Sequence, residues 1–181
     1  GGTVSVQSLL RSYLDQNHLD SVRCAECKSQ NRHKQTHSIA STGSVLLLAL
    51  KRTGYAGSLV KNSTRVHVEL QLVAQVQGLD TQLQLAAAVL HSGRDATSGH
   101  YTCLAREPST DEWHLYDDDK PRVRVQRASS WLSNDQRQQQ VALLFYELKN
   151  APTVPRLHVF SSLQSPQLQS PDVQPDADIQ S

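Results

Sequence analysis

The sequence of 181 residues contains no methionine, only three cysteines and no long apolar run. Its longest aliphatic run, VLLLAL at 45–50, is far too short to cross a membrane, and no signal-peptide pattern opens the chain, so we expect no membrane segment. A formal charge of +1 argues against a strongly basic surface for nucleic acid. Without an initiator methionine, we expect a fragment or processed piece of a longer protein.

The cysteine count is odd, whereas disulfide frameworks in secreted proteins normally use an even set. We therefore expect a reducing compartment, the cytoplasm or the nucleus. Two of the cysteines form CAEC at 24–27, a spacing typical of half a zinc site or of a redox pair. Lys28 and the lack of a preceding βαβ pattern weaken the redox interpretation.

A zinc ion bound at Cys24 and Cys27 would need two more ligands. His33 and His37 are candidates if their segment is helical. If 32–39 is a strand, these histidines lie roughly 13 Å apart at ~3.3 Å per residue, which is too far for one ion. We favour a second CxxC upstream in the sequence, so that Cys24 and Cys27 are half of a structural zinc site.

The chain begins with a predicted amphipathic helix over 5–17, with Ser5 as its N-cap. Later segments are typical of short strands. They lie at 44–52, which we expect to be buried on both faces, at 64–72, expected to be half-buried, and at 82–93, 99–106, 112–117, 122–126 and 140–148. This order predicts an α+β fold in which short helices flank an antiparallel sheet. Residues 151–181, rich in Gln, Ser, Pro and Asp, are predicted to be a disordered tail after a domain at 1–150.

SGHYTCLAR at 98–106 and WHLYDDD at 113–119 place a histidine and carboxylates at the ends of two neighbouring predicted strands. If these strands pair antiparallel, His100 and Asp117 meet at the open end of the hairpin. Imidazole titrates near neutrality, and a carboxylate can hold it in one tautomer, so the two residues could form two-thirds of a catalytic triad. A turn histidine beside a solvated acidic loop is the alternative, and the spacing alone does not decide between them.

Cys103 is a poor candidate for the nucleophile of such a triad. Residues three apart in a strand point to opposite faces, so Cys103 and His100 should face away from each other. We expect Cys103 to be a small buried apolar residue.

Taken together, these segments resemble the ubiquitin-specific proteases, the papain-like ubiquitin carboxyl-terminal hydrolases. The resemblance extends from about Val4 to Leu148 and depends on motifs in the same order, namely CAEC, VLLLALKR, VKNSTRV, HSG, SGHYT, WHLYDDD and ALLFYEL. It implies a hand-shaped fold in which 20–43 is a remnant of the zinc-binding fingers and 44–149 is the palm.

By the same resemblance, His100 is the general base and Asp117 the third triad member, with Asp118 as its fallback. Gly99 and Tyr101 would line the channel for the substrate tail. The substrate would be ubiquitin or a ubiquitinated protein, cleaved after its C-terminal glycine without a catalytic cofactor, by an enzyme that is a monomer.

The chain departs from the family pattern at several points. The thumb, which carries the nucleophilic cysteine, is missing, so the chain by itself should be inactive. The usual Phe after LKR is Thr53. A non-catalytic relative that binds ubiquitin or acts as a scaffold is the alternative, although the intact histidine and aspartate favour the enzyme. A bare zinc-binding module would explain CAEC but not the other motifs.

Overall fold

The structure, a computed structural model, describes residues 2–15, 17–55, 59–93, 95 and 98–149. The predicted tail at 151–181 lies outside these residues. The helices within these ranges are all too short or too polar to span a lipid bilayer.

Three short helices and thirteen strands make up the described chain. The helices are α1 Val6–Leu14, α2 Ala128–Leu132 and α3 Asp135–Gln140. The strands are β1 Thr3–Ser5, β2 Asn17–Arg23, β3 Gln30–Gln35, β4 Val45–Ala49, β5 Thr53–Tyr55, β6 Leu59–Lys61, β7 Arg65–His67, β8 Gln71–Val76, β9 Leu79–Ser92, β10 His100–Arg106, β11 Trp113–Tyr116, β12 Val123–Val125 and β13 Val141–Leu148.

A seven-stranded antiparallel sheet organises the fold. Its strand order is β12-β11-β10-β9-β13-β4, and β8 also pairs with β9. The long strand β9 pairs with β8 along its first half and with β10 along its second half, so it connects these two strands to the rest of the sheet. Three two-stranded sheets complete the topology: β1 with β7, which is parallel, β2 with β3, and β5 with β6.

The core lies on one face of this sheet, where the helices contribute Val6, Leu10, Ala128 and Leu132. In β9 the buried positions change from Leu83 and Leu85 to Ala88 and Leu90. A register shift against β13 inserts an extra residue between these pairs, and such a bulge moves the later side chains to the opposite parity. The bulge allows an apolar run that does not alternate strictly to keep one face in the core.

The predicted N-terminal helix is confirmed, with a shorter span. Ser5 caps α1: its side chain accepts a hydrogen bond from the Ser8 backbone N–H, and the Ser8 side chain accepts one from the Ser5 N–H. This reciprocal pair satisfies two N–H groups that a helix start otherwise leaves unpaired. The helix ends at Leu14, because the next residue, Asp15, has an extended backbone with a φ of −70° and a ψ of 167°.

Two strand predictions need correction. The strand at 44–52 is not buried on both faces: β4 is an edge strand, and the burial of its side chains alternates along the strand. Val45 and Leu47 are 44% and 51% exposed, whereas Leu46 and Leu48 pack on the core. The predicted single strand over 64–72 is divided into β7 and the start of β8. The remaining predicted strands, from 82–93 to 140–148, are present.

Candidate active site

The hairpin β10–β11 brings the predicted histidine and aspartate together. Its register runs from Cys103 opposite Tyr116 to Arg106 opposite Trp113, and the connecting turn lies beyond that second pair. His100 at the start of β10 and Asp117 just after β11 therefore share the open end of the hairpin. The geometric prediction is confirmed: His100 Nε2 lies 2.5 Å from Asp117 Oδ1.

The contacts of Asp117 define the state of the imidazole. Lys120 Nζ donates to Asp117 Oδ2 at 2.8 Å, and this bond, followed by the one from His100, holds the pKa of the Asp117 carboxyl below its usual value. An ionised carboxylate only accepts hydrogen bonds, so His100 Nε2 carries the proton. In the neutral ring Nδ1 then has a free lone pair that can take up a proton.

Asp118 approaches the other nitrogen of the same ring. Its Oδ2 lies 3.6 Å from His100 Nδ1, beyond hydrogen-bond distance, and its backbone has a φ of +50°. Of the two carboxylates, only that of Asp117 lies within hydrogen-bond distance of the ring. The role of either one in catalysis stays a prediction.

The two predicted channel residues flank His100. Gly99 has a φ of +155°, and a Cβ there would lie 2.3 Å from His91 Nε2 and 2.4 Å from the Ser92 carbonyl oxygen. Glycine is therefore required by packing within the chain. Tyr101 is 60% exposed, and its ring lies 4.6 Å from that of His91. The role of Gly99 and Tyr101 toward a substrate stays a prediction.

Cys103 is set apart from this pair by strand alternation, as expected. It is partly buried, and burial raises the pKa of its thiol. Within the part of the chain that the structure describes, the only cluster of three or more potential metal-ligating side chains combines His100, Asp117 and Asp118, and it contains no cysteine. The described residues therefore place a histidine and two carboxylates together without a cysteine beside them.

Cys24 and Cys27 lie in the turn between β2 and β3. Backbone bonds from the Cys24 N–H to the Ser29 carbonyl and from the Lys28 N–H to the Cys24 carbonyl close this turn. Ser29 Oγ lies 2.8 Å from Cys27 Sγ, and this bond, with a further one involving Cys24, lowers the pKa of the Cys27 thiol. Two neighbouring thiols on a tight turn fit half of a tetrahedral zinc site.

The Cys₂His₂ alternative is not assembled. His33 lies within the strand β3, so the chain between His33 and His37 begins in an extended conformation and not in a helix. The ring of His37 stacks on that of Tyr13, with the centroids 4.7 Å apart. Among the described residues no third His, Cys, Asp or Glu joins Cys24 and Cys27.

We expect the purified 181-residue chain to hold less than one zinc per molecule, because two thiolates leave the ion two ligands short. Elemental analysis after dialysis measures this, and Cys27→Ser should remove what zinc remains. One tightly bound zinc per chain that is lost on His33→Ala or His37→Ala would contradict the half-site.

The contribution of Lys120 was not anticipated from the sequence. It follows three residues after Asp117 in a turn closed by the bond from the Lys120 N–H to the Asp117 carbonyl. The sequence feature that could have indicated this contact is the run DDDKP, in which an acidic turn ends at a lysine that precedes a proline.

The model of the ubiquitin carboxyl-terminal hydrolase family matches residues 3–146. The chain belongs to the ubiquitin carboxyl-terminal hydrolase family, as the resemblance of its motifs indicated.

Relatives and solved structures agree. The chain is 28% identical over 156 residues to ubiquitin carboxyl-terminal hydrolase 2 of Gallus gallus, covering 81% of this chain and 42% of that protein. It is 30% identical over 138 residues to ubiquitin carboxyl-terminal hydrolase 2 of Homo sapiens, covering 72% of this chain and 21% of that protein. This chain therefore spans less than half the length of these relatives.

Two solved structures share its fold. One is a yeast SAGA deubiquitinase module carrying an Sgf73 mutation, with a TM-score of 0.65, 24% identity, and coverage of 81% of this chain and 34% of that chain. The other is a SAGA deubiquitinase module that contains a variant of Ubp8 and is bound to monoubiquitin, with a TM-score of 0.64, 23% identity and the same coverage. The predicted α+β fold of a ubiquitin-specific protease palm is thus confirmed.

Proposed function

We propose that this chain supplies the general base and the orienting carboxylate of a thiol-dependent hydrolase that cleaves the peptide or isopeptide bond after the C-terminal glycine of ubiquitin. The observation that carries the proposal is the contact of His100 Nε2 with Asp117 Oδ1. It fixes the ring through one nitrogen and leaves Nδ1 to exchange a proton with a thiol.

The reaction then follows from the ring geometry. Nδ1 takes the proton of the attacking thiol, and the thiolate adds to the carbonyl carbon of the terminal glycine. When the tetrahedral intermediate collapses, Nδ1–H returns the proton to the leaving lysine amine, and a thioester remains. Water, deprotonated by the same nitrogen, hydrolyses the thioester and restores the thiol. Asp117 keeps the ring oriented and stabilises the imidazolium in both steps.

The nucleophile in this proposal comes from a segment outside these 181 residues. Of the three cysteines, Cys103 lies on the strand face opposite His100, and Cys24 and Cys27 lie in the β2–β3 turn. The longer polypeptide that would contain this chain and the nucleophile is called the complete hydrolase below.

Ubiquitin is the proposed substrate and partner, since one structural neighbour is bound to monoubiquitin. Catalysis needs no metal in this scheme. Zinc would be held by Cys24, Cys27 and two further ligands, and it would stabilise the β2–β3 hairpin without entering the reaction.

The isolated chain tests the assignment. It should not hydrolyse a fluorogenic amide at the C terminus of ubiquitin, because no acyl-enzyme can form without the nucleophile. The measurement is steady-state fluorescence at chain concentrations well above those used for active hydrolases, with Cys103→Ala as the matched variant. Turnover that survives Cys103→Ala would remove the basis of the proposal, and turnover abolished by Cys103→Ala would make Cys103 the nucleophile.

The absence of a cysteine from the described His–Asp cluster favours a second candidate, a non-catalytic relative that binds ubiquitin. The two candidates differ in the complete protein. A hydrolase releases the fluorophore, whereas a binding relative retains affinity for ubiquitin without release.

A further inference from the structure

The position of His100 depends on the end of β9. His100 pairs with Ser92 across the β9–β10 ladder, and Ser92 Oγ donates to the His100 carbonyl oxygen at 3.2 Å. Any movement of this strand end therefore moves the backbone of His100 with it.

Strand β13 does not support this end of β9. Its first residue, Val141, pairs with Leu90, so the ladder stops before His91. Carbonyl groups two residues apart on a strand point to the same edge. The carbonyls of His91 and Gly93 thus share an edge that has no strand partner from β13.

The side chain of Lys61 lies at this edge of β9. Its Nζ donates to the His91 carbonyl oxygen at 3.0 Å and to the Gly93 carbonyl oxygen at 2.7 Å. The two accepting carbonyls bracket Ser92, the residue paired with His100. Hydrogen bonds from an ionised donor are about twice as strong as neutral ones, so one ammonium can substitute for the missing ladder bonds.

The β5–β6 hairpin that carries Lys61 is itself anchored, through Arg52, to the end of α3 and the start of β13. Arg52 donates from Nε to the Val141 carbonyl at 2.8 Å and from an Nη to the Gln138 carbonyl at 2.7 Å. The Asn62 N–H, next to Lys61, donates to the Arg52 carbonyl at 2.6 Å. These bonds fix the backbone next to Lys61 relative to the large sheet.

Lys61 holds its charge in a partly desolvated place. Burial lowers its pKa, the Arg52 charge lowers it further, and Asp95 opposes both. The ammonium is retained near these carbonyls because backbone oxygens replace the water that it loses.

We infer that Lys61 is a positioning residue, which fixes the end of β9 through the carbonyls of His91 and Gly93 and thereby holds His100 against Asp117. Lys61 touches neither of the reacting side chains. Its kinetic consequence rests on the proposed function, whereas its effect on the His100–Asp117 contact does not.

The spectroscopic test uses the purified 181-residue chain and the low-field Nε2–H proton resonance of His100, assigned by its loss in Asp117→Ala. Lys61→Met keeps the length of the side chain and removes its donors, and we expect the resonance to be lost while the amide spectrum stays folded. Lys51→Met makes the same change at an exposed lysine just after β4 and should retain the resonance. An unchanged resonance in folded Lys61→Met would overturn the inference.

A second variant covers the case in which Lys61→Met does not fold. Lys61→Arg keeps a cation with at least two N–H donors, so the His100 resonance should persist. Its loss in a folded Lys61→Arg chain would contradict the assigned role.

The kinetic test uses the complete hydrolase. A misplacement near the chemistry costs up to ~10²-fold in rate, so Lys61→Met should lower kcat by about 10- to 100-fold with KM unchanged. If the hydrolase is active and Lys61→Met leaves kcat unchanged, the positioning role is overturned while the proposed function stands. If the wild-type protein itself shows no turnover, the proposed function fails while the spectroscopic result stands.

Discussion

In the complete hydrolase, His100→Ala should lower kcat/KM for a ubiquitin C-terminal amide by about 10³-fold or more, with the Kd for ubiquitin nearly unchanged. The reason is that the imidazole acts only on the proton of the thiol and of the leaving amine. Affinity would come from the larger surface of the palm and fingers. Steady-state kinetics beside a binding titration separate the two quantities.

Substitutions of Asp117 should follow a graded order. Asp117→Ala removes the acceptor for Nε2–H and should cost less than His100→Ala, because the ring remains present. Asp117→Asn should be milder still, since an amide oxygen accepts the same hydrogen bond. Asp118→Ala is the matched control, because Asp118 lies 3.6 Å from Nδ1 without a hydrogen bond.

Two results would contradict this assignment. A larger loss for Asp118→Ala than for Asp117→Ala would make Asp118 the orienting carboxylate. Full activity of His100→Ala would reduce the pair to a turn histidine beside a solvated acidic loop.

Gly99→Ala should destabilise the chain and displace His100. The new Cβ would meet the Ser92 carbonyl at 2.4 Å and the His91 ring at 2.3 Å, on a backbone whose φ of +155° L-residues rarely adopt. Overpacking and local strain of this kind cost about 1–3 kcal/mol, so the free energy of unfolding should fall by that amount. The Nε2–H resonance of His100 should also shift or vanish.

Gly43→Ala is the control for this substitution. A Cβ at Gly43 would meet no atom within 4 Å, and the residue does not have a positive φ. Urea unfolding of both variants measures the difference. Equal stability of Gly99→Ala and Gly43→Ala would show that the described packing around Gly99 is wrong.

Helix capping and hairpin pairing can be predicted from the sequence, because they depend on residues that are close together along the chain. The helix α1 follows from Ser5 and its capping partner, and the meeting of His100 with Asp117 follows from antiparallel pairing of two predicted strands. Both predictions require only the residues within one short element or hairpin.

Other features depend on partners far along the chain. The exposed outer face of β4 could not be read from VLLLAL, because composition does not tell which element covers a strand. The buried pattern of β9 depends on a bulge against β13, and Lys61 reaches carbonyls 30 and 32 residues away. Such contacts are set by the tertiary arrangement and leave no periodic signal in the sequence.

The role of His100 as a base for an external thiol is tested by identifying the cysteine that reacts with ubiquitin carrying an electrophile at its C terminus. The reagent is applied to the complete hydrolase and to its His100→Ala variant, and the adduct is mapped by mass spectrometry. We predict a single adduct on a cysteine other than Cys24, Cys27 and Cys103, formed far more slowly in His100→Ala. An adduct on Cys103, or a labelling rate that does not change in His100→Ala, would contradict it.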